Sequence, residues 1–180
     1  GCIIHMKGKN KDMTEEEAEK NLQKFIKYVI NNTPSNTYLI LENTAGQKNE
    51  LFPDISDFCD FYEKIPSKIR KRVRICIDTC HAFAAGNDIS SAKSVKHFFN
   101  IIDTKIGINK IACIHLNDSL KPFDSHVDRH EDIGHGQIPI TGLKAVVKFA
   151  KKNDIPMILE TTGKNDPFEK QVKTVKKWAK

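Results

Sequence analysis

Five short apolar runs punctuate the chain, each ending in an acid or a histidine. They are Cys2-Ile3-Ile4-His5, Tyr38-Leu39-Ile40-Leu41-Glu42, Val73 to Ile77 running into Asp78, Ile111-Ala112-Cys113-Ile114-His115, and Pro156-Met157-Ile158-Leu159-Glu160. Runs this short, apolar at successive positions, read as strands buried on both faces. Between them the spacing changes to that of a helix with one buried face. Ala18, Leu22, Phe25, Ile26, Val29 and Ile30 form the first such stripe; Phe58, Phe61, Tyr62 and Ile65 the second; Val95, Phe98, Phe99 and Ile102 the third. Leu143, Val146, Val147 and Ala150 form the fourth, and Phe168, Val172, Val175 and Ala179 the fifth.

The helix boundaries are written in polar residues. Thr14 and Glu17 have the spacing of a capping box, and Asn31, Asn32 and Pro34 stop that helix. Asp54 opens the second helix, and Asp166, Pro167 and Glu169 the last. Strands alternating with amphipathic helices give an α/β fold with a parallel sheet, either a TIM barrel or a doubly wound sheet. No glycine-rich phosphate loop follows any strand. Chemistry at the end of all five strands favours the barrel, in which every strand end faces one mouth; an open sheet would spread those ends over about 20 Å.

The strand-end residues are His5, Glu42, Asp78 with His81 three positions on, His115 and Glu160. A carboxylate or imidazole beyond a buried strand is costly to desolvate unless a charge compensates it, and a metal ion does so. One such residue is ordinary; five in five strands, never Lys or Arg, describe a metal cluster. The polar stretch from Leu116 to Pro139 is long for a compact domain and adds Val127-Asp128-Arg129-His130. An extended backbone there turns Asp128 and His130 to one side and Arg129 to the other. Histidine and carboxylate ligands without thiolates suit zinc or manganese, and the set exceeds what one ion uses. Glu42 or Asp128 could bridge two ions, and clustered divalent ions suit phosphodiester cleavage. His97 falls in a helix, at the surface, while His126 and His135 flank the loop motif.

Composition adds less. The 180 residues make one domain, and 39% hydrophobic with 29% charged residues is ordinary for a globular chain. No apolar run of about 18 residues exists to span a membrane. The five cysteines are odd in number and lack CxxC spacing, which reads as reduced thiols of an intracellular protein; Cys76 and Cys80 are the one pair close in sequence. If four of the 23 acids serve as ligands, 29 basic residues face 19 acidic ones, a balance of +10 that suits a polyanion such as nucleic acid. A lysine-rich codon usage gives the same excess.

Leu41-Glu42-Asn43-Thr44-Ala45-Gly46-Gln47, Cys76-Ile77-Asp78-Thr79-Cys80-His81-Ala82-Phe83-Ala84-Ala85-Gly86, His115-Leu116-Asn117-Asp118-Ser119, Val127-Asp128-Arg129-His130 with Ile133-Gly134-His135-Gly136, and Leu159-Glu160-Thr161 resemble, in order, the motifs of the endonuclease IV family. The resemblance implies a TIM (β/α)8 barrel of the xylose-isomerase-like type, of which this chain holds about five of the eight units. It implies a zinc-dependent apurinic/apyrimidinic (AP) endonuclease of DNA base-excision repair. Such an enzyme hydrolyses the phosphodiester 5′ to an abasic site, leaving a 3′-hydroxyl and a 5′-deoxyribose phosphate, and trims blocked 3′ ends. Carried over by motif, His5 and Glu42 serve one zinc; Asp78, His115, Glu160 and a bridging Glu42 the second; His81, Asp128 and His130 the third. Glu42, Asp78 and Glu160 are the catalytic carboxylates. Three zinc ions belong to the complete enzyme, with manganese as an alternative. The implied partner is double-stranded DNA bearing abasic sites or blocked 3′ ends, bound by a monomer in the cytoplasm, or in the nucleus of a eukaryote. Arg129, turned away from the ligands, is then expected on the DNA backbone or bracing its loop.

The sequence departs from the family where Met6-Lys7-Gly8 follows His5, and at Lys48, Asn87 and Pro139. The family's early strands, a further zinc-binding histidine and its DNA-penetrating loops have no counterpart. The chain is therefore expected to be the C-terminal part of a longer polypeptide, its sheet an open arc. Two other classes fit parts of the pattern. A metal-dependent sugar isomerase or epimerase shares the barrel, but the Asp128-x-His130 pair supplies a third ion site superfluous to that reaction. A non-catalytic DNA-binding remnant is the other.

Overall fold

The computed structural model describes residues 1–8 and 12–180. Five parallel strands form one sheet in chain order: β1 (Cys2–His5), β2 (Leu39–Glu42), β3 (Val73–Asp78), β4 (Ile111–His115) and, last, β7 (Met157–Ile158). Helices α1 (Glu15–Asn31), α2 (Ile55–Lys64), α5 (Ala92–Lys105) and α6 (Ile140–Lys152) make the return connections, and α7 (Phe168–Trp178) follows the last strand. Sequential parallel strands with helical crossovers are the unit of a barrel, and this sheet is a five-strand portion of one.

The expected caps are present. Glu17 N–H donates to Thr14 Oγ1 at 3.2 Å and Thr14 N–H to Glu17 Oε2 at 2.9 Å. Asp54 accepts from Ser56 and Asp57 at the start of α2. The core lies between sheet and helices: Leu41, Ile75 and Ile77 meet Ile26, Phe58, Phe99 and Val147, all essentially inaccessible to solvent. Burying each such side chain contributes about 1.5–3 kcal/mol.

Four expectations need correcting. The last strand covers only Met157–Ile158; beyond it Leu159 and Glu160 leave the ladder, because the backbone there serves the neighbouring loop. Tyr38 likewise lies outside β2 and is exposed. The stripes of α1 and α7 are narrower than their spacing suggested: Phe25, Phe168 and Val172 are exposed, and α7 buries Gln171 beside Val175. Both helices flank an edge strand, where no further described element covers the outer part of the stripe; Gln171 is buried because Ile133 N–H donates to its Oε1 and its own amide donates to Asp166 O. Finally, the long polar stretch is not structureless. It contains a two-stranded antiparallel ribbon, β5 (Asp118–Ser119) with β6 (His130–Glu131). Two short helices were also unforeseen, α3 (Ser67–Arg70) and α4 (Thr79–Ala84).

Candidate metal centre

Parallel register sets the strand ends in two steps. His5 pairs with Glu42 and Glu42 with Cys76, while Asp78, two residues on, pairs with His115, so each side chain leaves the same end and the same face of the sheet. The sheet is curved enough for contacts to run across all five strands. His5 Nε2 is 3.0 Å from Glu42 Oε2, His115 Nδ1 is 2.8 Å from Glu42 Oε1, and Glu160 Oε2 is 2.9 Å from His115 Nδ1. A flat sheet would separate the outer strands by four spacings, about 19 Å.

Asp78 also caps α4, its Oδ1 accepting the His81 N–H at 2.9 Å. The Asp-x-x-His spacing is thus a helix start, which turns His81 back over the sheet toward Glu42. Asp128 stands 3.3 Å from both His81 Nε2 and His130 Nε2, as alternation along the loop predicts. Three adjoining ligand groups result: His5, Glu42 and His81; His81, Asp128 and His130; Glu42, Asp78, His115 and Glu160. Within each, the ligand atoms lie within 4.8 Å of one another.

The donor chemistry tests whether a cation fits. His81 Nδ1 lies 2.9 Å from Asn43 O, and His130 Nδ1 lies 3.1 Å from Glu160 O. A carbonyl accepts only, so both imidazoles carry a proton on Nδ1 and in the neutral form point a lone pair from Nε2. Those two Nε2 atoms are buried without a hydrogen-bond partner and face carboxylate oxygens. Lone pairs facing anions require a cation between them, either a metal or a proton. Without metal the proton takes that place. Burial pushes these imidazoles down, yet Asp78 and Asp128 raise His81 to about 10 and Asp128 and Asp78 raise His130 to about 9. His115, against the same burial, is raised to about 10 by Cys113, Glu42 and Glu160. Burial pushes Glu42 upward, but His115 and His5 hold it at about 2, and His130 with His81 hold Asp128 far below the usual range. The residues therefore fit divalent metal.

Four residues that hold this cluster were not singled out as site residues. Asn43 Oδ1 accepts the Asp78 N–H at 2.7 Å while its Nδ2 donates to Asp78 O at 3.1 Å, tying β2 to β3. Asn117 Nδ2 donates to Asp78 Oδ2 at 2.6 Å and its Oδ1 accepts the Glu160 N–H at 2.8 Å. Asp118 takes the N–H groups of Ser119, Gly134, Gly136 and Ile138. Gly136 is required there, since a Cβ would collide with Asp118 Oδ1 and Ser119 O. Asp132 accepts from Gly163, Asn165 and Asp166 N–H and from Thr162 Oγ1, joining the His130 ribbon to the segment after Glu160. The sequence signal for the first three was their position beside or within the strand-end motifs.

The family model for xylose isomerase-like TIM barrels matches residues 1–180. The putative endonuclease 4 of Acanthamoeba polyphaga mimivirus is 42% identical over 191 residues, covering 100% of this chain and 61% of that protein. The chain belongs to the endonuclease IV family. The probable endonuclease 4 of Nitrosopumilus maritimus is 37% identical over 85% of this chain and 54% of its own length. Among solved structures, endonuclease IV from Thermus thermophilus superposes with a TM-score of 0.76 at 25% identity, over 98% of this chain and 60% of that one. The chain thus spans about 60% or less of the length of these endonuclease IV relatives.

The remaining expected positions are plainly placed. Arg129 is exposed, its Nη1 donating to Asp128 O at 2.5 Å. His97 is exposed; His126 pairs with Asp124 and His135 with Asp166, each at 3.3 Å and outside the ligand groups. Where the sequence departs from the family after His5, Met6 is fully buried and Lys7 bridges to Glu50 at 3.2 Å. The cysteines are all unpaired, and the near pair is Cys76 with Cys113 rather than Cys76 with Cys80. Among the described residues no helix is long and apolar enough to cross a membrane.

Proposed function

We propose that this chain carries the metal centre of a zinc-dependent AP endonuclease of DNA base-excision repair, acting on double-stranded DNA with abasic sites or blocked 3′ ends. The carrying observation is three ligand groups in contact, joined through Glu42 and His81. Ions held there would supply an activated water, charge neutralisation on the phosphate and stabilisation of the leaving oxygen. His5 and Glu42 would hold one, Glu42, Asp78, His115 and Glu160 the second, and His81 through Nε2, with Asp128 and His130, the third. Three ions suit a phosphodiester and exceed the need of an aldose–ketose shift, which disfavours the sugar isomerase reading.

The chain's own residues divide the work. Glu42, buried and pinned by His5 and His115, is held where it would serve more than one ion. The carbonyls of Asn43 and Glu160 keep the His81 and His130 protons on Nδ1, leaving each Nε2 for metal. Glu160 is the most open carboxylate of the set, its side chain 46% exposed, and so the one placed to meet a substrate phosphate. The 180 residues are read as one domain, the C-terminal part of a barrel whose complete form is a monomer.

Metal analysis and a nicking assay on an abasic duplex test this in the complete enzyme. Glu160→Gln should retain DNA binding and lose most cleavage, because a neutral amide is a poorer zinc ligand. Near-normal nicking by that variant removes Glu160 from the site; an absence of metal and of nicking in the complete enzyme rejects the reading as a whole.

A further inference from the structure

Level with Glu42 and on the same face of the sheet, two cysteines stand side by side. Cys76 precedes Asp78 by two residues and Cys113 precedes His115 by two, and Cys76 pairs with Cys113 just as Asp78 pairs with His115. Alternation therefore stacks the thiols one layer, about 6.6 Å, beneath Asp78 and His115. Their Sγ atoms are 3.5 Å apart, the side chains are buried, and no disulfide joins them. One imidazole nitrogen of His115 lies within 4.8 Å of both sulfurs.

We propose that Cys76, Cys113 and His115 form a binding site for a thiophilic metal ion, adjoining the carboxylate centre and sharing its His115. Two thiolates bound about 2.3 Å from a tetrahedral ion stand about 3.8 Å apart, close to the spacing already present. The backbone that sets this spacing is strand on both sides, so little ordering remains to be done on binding. Ligand softness separates the two sites. The carboxylates and imidazoles suit zinc and manganese, whereas paired thiolates select softer ions such as cadmium or copper(I). Cys80 is not part of this trio: it lies near Asp78 and His130, its Sγ directed at Arg129 O at 3.5 Å, and Cys59 is buried within α2.

The experiment adds Cd(II) alone to the reduced full chain and follows the thiolate-to-cadmium charge-transfer band in the ultraviolet. X-ray absorption counts the sulfur neighbours of the bound ion. One ion with two sulfur neighbours is expected. Cys76→Ala and Cys113→Ala should each remove one sulfur and weaken the binding that the band reports by at least about tenfold, while Cys59→Ala leaves both unchanged. Fewer than two sulfur neighbours in the unaltered chain overturns the site without recourse to any variant. A band that survives Cys113→Ala, or that is lost in Cys80→Ala instead, also overturns it. The band needs no DNA, so a protein that nicks no abasic duplex still reports on this site.

Discussion

The ligands divide into a middle and a rim that are built by different means. Glu42, Asp78, His81 and His115 are each at most 4% exposed, and three of them end interior strands. His5 lies on an edge strand, Asp128 and His130 belong to the long loop and its ribbon, and Glu160 follows the other edge strand. The middle is positioned by backbone ladders, one helix cap and the Asn43 clasp. The rim is positioned by side chains that collect backbone N–H groups, above all Asp118 and Asp132. Strand register resists small perturbations; a loop held by one carboxylate depends on that carboxylate.

Metal removal should expose this contrast most strongly. An ion that binds only the folded state stabilises by about 4 kcal/mol at a free concentration a thousandfold above its dissociation constant. Chelation is expected to lower the thermal midpoint and to speed hydrogen exchange at 126–131 and 160–166 while leaving 40–42 and 75–78 protected. Equal loosening of both regions breaks the division into middle and rim.

Asn117→Ala comes next, because the Asn117 side chain bonds to the middle and to the rim at once. Its loss strands Asp78 Oδ2 in a buried setting and the Glu160 N–H in a partly buried one. Unsatisfied groups of this kind cost about 1–3 kcal/mol each, so a total near 3 kcal/mol is expected from denaturant unfolding, with loss of bound metal. A variant that keeps its full metal content within about 1 kcal/mol of the parent would show that the clasp is dispensable.

Asp132→Ala should cost about 2 kcal/mol and act on the rim alone. The effect depends on pH in a defined direction. Burial pushes the Asp132 carboxyl upward, but the N–H groups of Asp166, Asn165 and Gly163 outweigh it and hold the group at about 2. A folded-state value below the unfolded one, about 3.9, adds stability above that pH and loses it as the pH falls toward 2. The gap in thermal midpoint between the parent and Asp132→Ala should therefore close on acidification through that window. A constant gap would assign the effect to packing rather than to the charge.

Much of the middle was legible in the sequence, because strand ends and ligand types sit at adjacent positions: Glu42 after Leu41, Asp78 after Ile77, His115 after Ile114. What was not legible rests on partners distant along the chain. Asn117 meets residues 39 and 43 positions away, and Asp132 closes on 163–166, so neither role leaves a local pattern. The same applies to α7. Its spacing proposed Phe168 and Val172 as a buried face, but the hydrogen bonds of Gln171 with Ile133 and Asp166 turned the helix otherwise.

The smallest effect is expected at Arg129, on the outer side of the rim. Its backbone oxygen accepts the Leu120 N–H at 2.9 Å and the Cys80 thiol at 3.5 Å, so the loop is held there by main chain, not by the guanidinium. The side chain is exposed and makes one bond, to the carbonyl of its own neighbour Asp128. If the proposed function holds, an exposed guanidinium beside the ligand groups would meet a DNA phosphate. Arg129→Ala should then weaken binding of an abasic duplex by about fivefold, near 1 kcal/mol, and reduce the slope of log affinity against log salt by about 1. Thermal stability and metal content should not change, because nothing in the middle or the rim rests on this side chain. A fall in thermal midpoint with an unchanged salt slope would make Arg129 a brace of the loop. Unchanged affinity, slope and stability together would leave it a solvated arginine and move the DNA contact elsewhere on the rim.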